Sequence, residues 1–488
     1  MRRFPTPFPN VLALALMLLC GAGSESRAQI FSSPEDDKKT GAEVSKVVEV
    51  QIGIYEAPVT AEYVQAIGQR LVGNLERREF DFRFQLVDQF EPNAFAAPGG
   101  YVYVSRGLLA LANSEDELAG VLGHEIIHVT ERHSAKQSRR GILPALLQIP
   151  GAIVGGLVSE ELGALINTPI AAIGQVGLAR HSRGQESEAD RKGMRLTGHS
   201  GYDPKALATI LAQLEKDVEM LTGDKHKASF FDTHPTTPKR VEEINKELAK
   251  IQWSPQPAIA KDKQDFLRRL DGLHYDENPV QGVFRGQTFM QPELNFAITF
   301  PEHWQTANTP SAVGAMTEKK EAMLFLGLAE KQAEPEQLGQ AFITKLQQKH
   351  KSEPVEARAV QAGQWPGYLV TLAESERRQT TYMHLLWVKM QKLTYQLIGV
   401  GADQYRPTLK QAALSLRPLS AEERNGITSL RLRLAAAKAG ETLADLSERT
   451  GNAWKPDYTA VINNIPVDRK LQAGELIKIA RREKYVLR

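Results

Sequence analysis

The chain has 488 residues, of which 42% are hydrophobic and 24% are charged, and its formal net charge is +2. This length exceeds what one ordinary hydrophobic core holds and predicts roughly three domains. The near-neutral charge gives no sign of nucleic-acid binding. The single cysteine, Cys20, lies in an N-terminal segment that is expected to be removed. The remaining chain then offers no disulfide, no cysteine nucleophile and no thiolate metal site.

The N-terminus has the three parts of a secretory signal peptide. Basic Arg2 and Arg3 precede an apolar run at 11–19, and a small-residue cleavage site ends at Ala28. Residues 1–28 are therefore predicted to be a cleaved signal peptide. Lipoprotein anchoring at Cys20 is the alternative, although a small residue usually precedes a lipidated cysteine and Leu19 is not small.

The elements that follow have an α+β order. Residues 29–45 are polar and charged and are expected to be a flexible lead-in. The patterns then predict a helix over 62–77, strands over 80–87 and 100–104, and a longer helix. Strand 100–104 is a candidate edge for an extended substrate, and an ordinary sheet strand is compatible with the same residues.

The longer helix begins after Ser114 and carries the motif H-E-x-x-H. His124 and His128 lie one turn apart on the same face, so both can reach one metal ion, and Glu125 lies beside the position of a bound water. A catalytic zinc ion normally takes three protein ligands and leaves the fourth place to water, so a third ligand is expected elsewhere. Two partly buried helix histidines are the alternative explanation.

The third ligand is sought downstream, because Glu131 and Ser134 stand where a metzincin would have glycine and histidine. Glu186 and Asp190 stand four residues apart in a polar helix start that follows Ser182. Glu186 is the candidate ligand, and Asp190 would accept the second ring N–H of a ligand histidine. A solvated acidic helix face is the alternative explanation of this pair.

Three motifs now stand in order along the chain. They are His124–His128, Glu186–Asp190 and His234–Pro235, with Arg240 following. Together with a strand at 93–105, they resemble the HtpX/BepA-like periplasmic zinc metallopeptidases of the prenyl-protease (gluzincin) type.

The resemblance covers about residues 40 to 250 and implies a mainly helical zincin-like domain with a small sheet. The ligands that it implies for one Zn²⁺ per chain are His124, His128 and Glu186. It makes Glu125 the general base and places His234 near the metal, as an extra ligand or a transition-state donor. A Thr-His-Pro turn that caps the next helix also explains His234.

An almost uncharged apolar segment, 141–178, lies between the two halves of this motif set. Its prolines and glycines favour a pair of short helices beside the active site over a membrane span. A surface that contacts the membrane periphery or a client protein is the functional alternative to core packing.

A proline-rich joint at 253–258 precedes a region of different character. Alternation predicts an α+β accessory domain with strands at 294–300, 322–328, 368–372, 382–389 and 393–400 and helices near 335–350 and 405–416. No metal or nucleophile constellation is found there, since His350 and His384 are isolated.

The C-terminal residues Gly440–Leu446 and Leu471–Ile479 have a spacing that resembles a LysM module, a small β-α-α-β unit often used on peptidoglycan. Glycan binding and protein docking are both open for such a module. We expect it to fold separately, so that deletion of residues 430–488 would leave peptide cleavage nearly unchanged.

The predicted organisation is α+β throughout. Its divisions are a signal peptide (1–28), a zinc metallopeptidase domain (40–252), an α+β accessory domain (262–420) and a LysM-like module (428–482). The predicted function is that of a secreted, periplasmic zinc endopeptidase that hydrolyses peptide bonds of envelope or misfolded outer-membrane proteins. Two alternatives are a chaperone or assembly factor with a largely latent zinc site, and a cell-wall amidase, whose ligand patterns differ.

Overall fold

The computed structural model shows a protein of mixed helices and sheets. It describes residues 33–134, 181–221, 230–235, 238–350, 353–376 and 379–487. The predicted signal peptide, Cys20 and the apolar segment 141–178 lie outside the described residues. Within the described ranges, no helix is both long and apolar enough to cross a membrane.

The first region surrounds a small sheet. Helices α1 (Pro34–Gln51) and α2 (Pro58–Gly73) precede its strands. The strands are β1 (Arg83–Val87), β2 (Ala94–Ala97) and β3 (Tyr101–Ser105). Their order is β1-β3-β2, with β3 parallel to β1 and antiparallel to β2.

Helices make up the rest of this region. They are α3 (Arg106–Leu111), α4 (Glu115–Thr130), α5 (Arg183–His199), α6 (Ala206–Leu221), α7 (Phe230–Thr233), α8 (Pro238–Leu248) and α9 (Lys263–Arg268). The apolar residues of α4 recur at helical spacing and are buried in the main hydrophobic core, which comprises among others Leu118, Val121, Leu122, Ile126 and Val129. Because these side chains are buried in the main core, α4 is the central helix of the region.

The expectation of a flexible lead-in at 29–45 is wrong for its described part, because α1 begins at Pro34. Ser33 caps this helix with Asp36 in a reciprocal capping box. Val44 and Val48 are buried against the sheet. The polar composition was misleading because only a narrow stripe of this helix needs to be apolar.

The expectation that strand 100–104 is a substrate edge is also wrong. Strand β3 lies in the centre of its sheet and pairs with β1 on one side and β2 on the other. The turn Pro98–Gly100, in which Gly99 has φ 79° and Gly100 has φ 106°, folds β2 back onto β3. Strand β2 is therefore the outer strand on this side of the sheet.

The second region is a sheet domain. Its strands are β4 (Val283–Arg285), β5 (Thr288–Gln291), β6 (Phe296–Thr299), β7 (Gln305–Asn308), β8 (Ala312–Met316), β9 (Ala322–Leu328), β10 (Glu356–Ala362), β11 (Trp365–Glu376), β12 (Gln379–Met390) and β13 (Leu393–Ala402). Strands β4 to β6 form a small sheet, and the other seven form an antiparallel sheet in the order β10-β11-β12-β13-β9-β8-β7.

Two helices cover the faces of the large sheet. Alternate strand residues pack against α10 (Pro335–His350) on one face and against α11 (Arg406–Ala413) on the other. Helix α12 (Ala421–Gly426) then leads to the last region. The two-sided burial explains why the strands are nearly continuous apolar runs in the sequence.

The last region has the element order β-α-α-β: β14 (Thr428–Ala436), α13 (Leu443–Thr450), α14 (Pro456–Asn463) and β15 (Leu476–Lys484). We call these residues, 428–484, the C-terminal module. Its assignment to the LysM class stays a prediction.

The C-terminal module has a small hydrophobic core of its own, which includes Leu443, Leu446 and Ile479, but part of it also packs into the first region. Leu432, Ile462 and Ala480 belong to the same hydrophobic core as α4. The backbone of β14 also pairs with the segment Gly272–Tyr275, where Leu432 N donates to the carbonyl of Leu273. The module is thus built into the first region and shares its core.

Candidate metal centre

Helix α4 is held rigidly at its start. The Ser114 hydroxyl accepts a hydrogen bond from Glu117 N at 3.1 Å, which caps the helix. The Glu117 carboxylate does not complete a capping box with Ser114, because it accepts from Asn113 N at 2.6 Å instead. The helix enters the core with its first turn fixed, so His124 and His128 are carried on a rigid element.

Two glycines allow α5 to approach α4 closely. A Cβ on Gly123 would lie 2.7 Å from Thr197 Oγ1, and a Cβ on Gly193 would lie 2.9 Å from His124 N. Neither helix could carry a larger residue at these positions without moving apart. This approach brings Glu186, near the start of α5, to the face of α4 that carries His124.

Four buried side chains meet at this contact. They are His124, His128, Glu186 and His234, and each offers one donor atom such that all four atoms lie within 4.8 Å of one another. His128 Nε2 lies 3.0 Å from His124 Nε2 and 3.4 Å from Glu186 Oε1. His234 Nδ1 lies 3.2 Å from His124 Nε2 and 3.1 Å from Glu186 Oε1. The structure therefore brings together all the residues that the sequence named as ligands or as the extra histidine.

The donor atoms fit a metal ion such as zinc. Imidazole nitrogens and carboxylate oxygens are its usual ligands, and four such atoms converge here. Glu125 supports this interpretation, because both of its carboxylate oxygens are buried and have no hydrogen-bond partner among the described residues. Buried polar groups are nearly always paired, so this carboxylate points to a ligand or substrate position.

The electrostatics favour a neutral His128 next to a charged Glu186 carboxylate. Burial and the neighbouring His181 hold the pKa of His128 well below its usual range. Burial alone would raise the pKa of Glu186, but His234 and a hydrogen bond with His128 outweigh it and lower this pKa. Burial raises the pKa of Glu125, which the positive potential of His234 offsets only in part. Lone pairs on His128 and a full charge on Glu186 suit metal coordination.

Asp190 lies behind His124, on the side away from the donor cluster. Its Oδ1 is 2.9 Å from His124 Nδ1. Arg240 donates two hydrogen bonds to the same carboxylate, from Nε at 2.6 Å and from Nη2 at 2.9 Å. The Nη1 of Arg240 also lies 2.8 Å from Glu186 Oε2 and donates to the His234 carbonyl at 3.1 Å. Arg240 thus links three members of the site, a role that its position in the motif did not specify.

Sequence reasoning missed His181. Its ring stacks on His128 with centroids 3.8 Å apart, and its backbone N–H donates to the Thr233 carbonyl at 3.0 Å. Burial and nearby His234 lower its pKa to about 2. Its only sequence signal was its place just before Ser182, the cap of α5.

A buried cluster of histidines and a glutamate, formed by H-E-x-x-H and a glutamate on the following helix, defines a metallopeptidase type of site. Comparison with known proteins agrees with this type of site: residues 58–248 match the model of peptidase family M48. The likeness to this family covers that part of the chain.

Curated relatives share this part of the chain. The beta-barrel assembly-enhancing protease of Yersinia pestis is 30% identical over 293 residues, which are 55% of this chain and 59% of that protein. Its namesake from Escherichia coli K12 is 27% identical over 248 residues, 48% of this chain and 50% of that protein. The metalloprotease LoiP of the same bacterium is 27% identical over 197 residues, 40% of this chain and 73% of LoiP. The chain thus spans 50 to 59% of the length of the first two relatives.

Proposed function

We propose that this protein is a secreted zinc-dependent endopeptidase of the periplasm that cleaves envelope or misfolded outer-membrane proteins as quality control. The observation that carries the proposal is the buried donor cluster with the unpaired Glu125 carboxylate beside it. The names of the relatives from Yersinia pestis and Escherichia coli support the substrate class, because they describe proteases that enhance beta-barrel assembly.

In this proposal His124, His128 and Glu186 hold one Zn²⁺. When bound, zinc would supply Lewis-acid chemistry, which polarises a scissile carbonyl and acidifies water. Glu125 accepts the proton of the attacking water and passes it to the leaving amine. The raised pKa of Glu125 suits this role, since it makes the carboxylate a stronger base. Asp190 keeps the Nδ1 proton on His124 and so directs the Nε2 lone pair into the cluster.

For His234 we favour the role of a fourth ligand in the described conformation. Its Nδ1 lies among the other donor atoms, 3.1 Å from Glu186 Oε1, while its Nε2 lies 3.5 Å from Glu125 Oε1. If all four residues held a zinc ion, no place would remain for water, so peptide hydrolysis would require His234 to withdraw.

For substrate binding we propose strand β2 in place of the central strand β3. It is the outer strand of its sheet, and it contacts the metal-bearing helix α4. An extended polypeptide that pairs with an outer strand is held through its backbone, which gives tolerance for many side chains. A protease for misfolded proteins needs such tolerance.

Two further parts of the proposal concern partners. The C-terminal module would bind peptidoglycan if it acts as a LysM unit, and the apolar segment 141–178 would contact the periphery of the membrane. The composition of these segments supports both ideas, and localisation by the predicted signal peptide 1–28 would place them in the same compartment.

Digestion assays test the proposed reaction. We expect the purified protein to cleave casein, to lose this activity with a zinc chelator, and to leave purified muropeptides intact. Cleavage of muropeptides alone would favour a cell-wall amidase. A protein that prevents aggregation of a denatured client equally well with and without chelator, and cleaves neither substrate, would support the chaperone alternative.

A further inference from the structure

We propose that His133 and Glu188 are positioning residues that hold His128 in its metal-binding orientation. The inference rests on the proposed zinc site. The two residues lie outside the donor cluster and behind His128. His133 is fully buried, and its Nδ1 lies 2.9 Å from His128 Nδ1. Its other nitrogen, Nε2, lies 3.3 Å from Glu188 Oε2.

The proton positions follow from these contacts. The Nε2 of His128 faces the donor cluster, so a lone pair must point there and the ring proton must lie on Nδ1. That N–H is donated to His133 Nδ1, which must then be an acceptor. The proton of His133 is therefore on Nε2 and is donated to Glu188. Each link selects one tautomer of the next ring, so a carboxylate two rings away fixes the ligand nitrogen of His128.

The backbone is shaped to make this chain of contacts. Helix α4 ends at Thr130, and Arg132 adopts the left-handed region with φ 54°. The reversal returns His133 against His128, five residues back. A side chain in this backbone region costs free energy, which the ion pair between Arg132 Nε and Asp37 at 2.5 Å helps to offset.

Glu188 is itself held in place. Its Oε1 lies 2.7 Å from Lys192 Nζ, and Lys192 also lies 2.6 Å from Glu131 Oε1. The second oxygen of Glu188 is left for His133. Gln185 Nε2 in addition donates to the His133 carbonyl at 3.2 Å. His133 therefore joins α4, which carries two of the donor residues, to α5, which carries Glu186.

The two ligand histidines are thus supported in different ways. His124 contacts a carboxylate directly, since Asp190 Oδ1 lies 2.9 Å from its Nδ1. His128 reaches its carboxylate, Glu188, only through a second imidazole. The helix pattern gave Glu188 no role. The pattern assigned roles only to Glu186, as a donor, and to Asp190, which contacts His124.

Zinc affinity of the full chain tests this inference without relying on proteolysis. Titration against a competing chromophoric chelator should show that His133→Leu raises the zinc Kd by about 10- to 100-fold. Glu188→Gln keeps the shape of the side chain and should raise the Kd by a smaller factor. Once His133 is replaced, Glu188→Gln should have no further effect, because Glu188 acts through His133. Cobalt-loaded His133→Leu should also show a changed visible absorption band, which reports the ligand geometry.

Glu215→Gln on the exposed surface of α6 is the matched control and should leave the Kd unchanged. Thermal unfolding establishes whether each variant is folded. If His133→Leu does not fold, the zinc Kd of Glu188→Gln is the deciding measurement. If both folded variants, Glu188→Gln and His133→Leu, showed the wild-type zinc affinity and an unchanged cobalt spectrum, this inference would be overturned and the proposed function would stand. A wild-type chain that takes up no zinc would overturn the proposed function and this inference with it.

Discussion

Two buried polar clusters lie along the same stretch of chain and differ in one respect. Before α4, the Lys478 ammonium is fully buried and donates to the carbonyls of Ala110, Leu111 and Ala112 at 2.7, 3.0 and 2.9 Å. In the second half of α4, the Glu125 carboxylate is equally buried and has no hydrogen-bond partner among the described residues. A lysine has three protons to donate, so the first cluster is complete and the second is not.

The difference separates a structural contact from a reactive site. A complete cluster leaves nothing for a ligand. Lys478 donates to the carbonyls at the end of α3, and that of Leu111 also accepts from Asn113 Nδ2 and Gln213 Nε2. Asn113 Nδ2 and Gln213 Nε2 extend this contact to the carbonyl of Ile462 at 3.1 and 3.2 Å. An incomplete cluster, by contrast, contains a group whose partner is a ligand or substrate that binds to the protein.

The largest effect is expected at the incomplete cluster. Glu125→Gln should lower casein cleavage by at least about 10²- to 10⁴-fold, because it removes the general base. Zinc content should stay unchanged, since Glu125 is not among the four converging donors. The free energy of unfolding should not fall, because the buried carboxylate has no hydrogen bond to lose among the described residues and burial disfavours its charge. Retained cleavage would show that Glu125 is not the base.

Deletion of residues 428–488 should have the next largest effect. It removes Leu432, Ile462 and Ala480 from the core that contains α4. We expect the free energy of unfolding of the remaining chain to fall by at least about 5 kcal/mol, measured by denaturant titration. Unchanged stability and cleavage would restore the expectation of an independent module.

Lys478→Met tests the complete cluster by itself. Three buried carbonyls would lose this donor, although that of Leu111 keeps Asn113 Nδ2 and Gln213 Nε2, so the free energy of unfolding should fall by about 3 kcal/mol. Lys484→Met, on the exposed end of the same strand β15, is the control and should change stability little. If the two variants proved equally stable, the Lys478 contact would contribute nothing to docking of the C-terminal module.

The smallest effect is expected at an exposed ion pair. Arg417 lowers the pKa of Glu423 from 4.5 to about 2. A lowered pKa stabilises the fold above the unfolded value, and this contribution is lost as the pH falls from 4.5 toward 2. Glu423→Gln should therefore reduce stability at pH 7 by less than about 1 kcal/mol, since the pair is partly exposed, and should have no effect near pH 2. A pH-independent difference would contradict this cause.

The sequence predicted the elements whose signal is local. The stripe of α4 and the four-residue spacing of Glu186 and Asp190 are patterns within one helix, and the structure places them as expected. Helix α10 and strand β9 have the predicted limits because they lie between clear turn signals. The start of α2 was set four residues too late because Pro58, which suits a first helical position, was not used.

The rest depends on contacts between distant segments. His133 meets His128 only because Arg132 turns the chain back, and His181 stacks on His128 only in the folded core. Lys478 stands in a strand with several charged residues, and a lysine there is normally expected in solvent. Its burial requires the carbonyls of α3, which no pattern within the C-terminal module reveals.

The most direct test of the central claim is the zinc content of the purified protein, measured together with cleavage. We expect about one zinc per chain in the wild type, loss of the metal in His124→Ala and His128→Ala, and casein cleavage that disappears with the metal and returns when zinc is restored. Freshly purified protein that contains no zinc and takes up none, or full cleavage after complete removal of the metal, would contradict the assignment of a zinc peptidase.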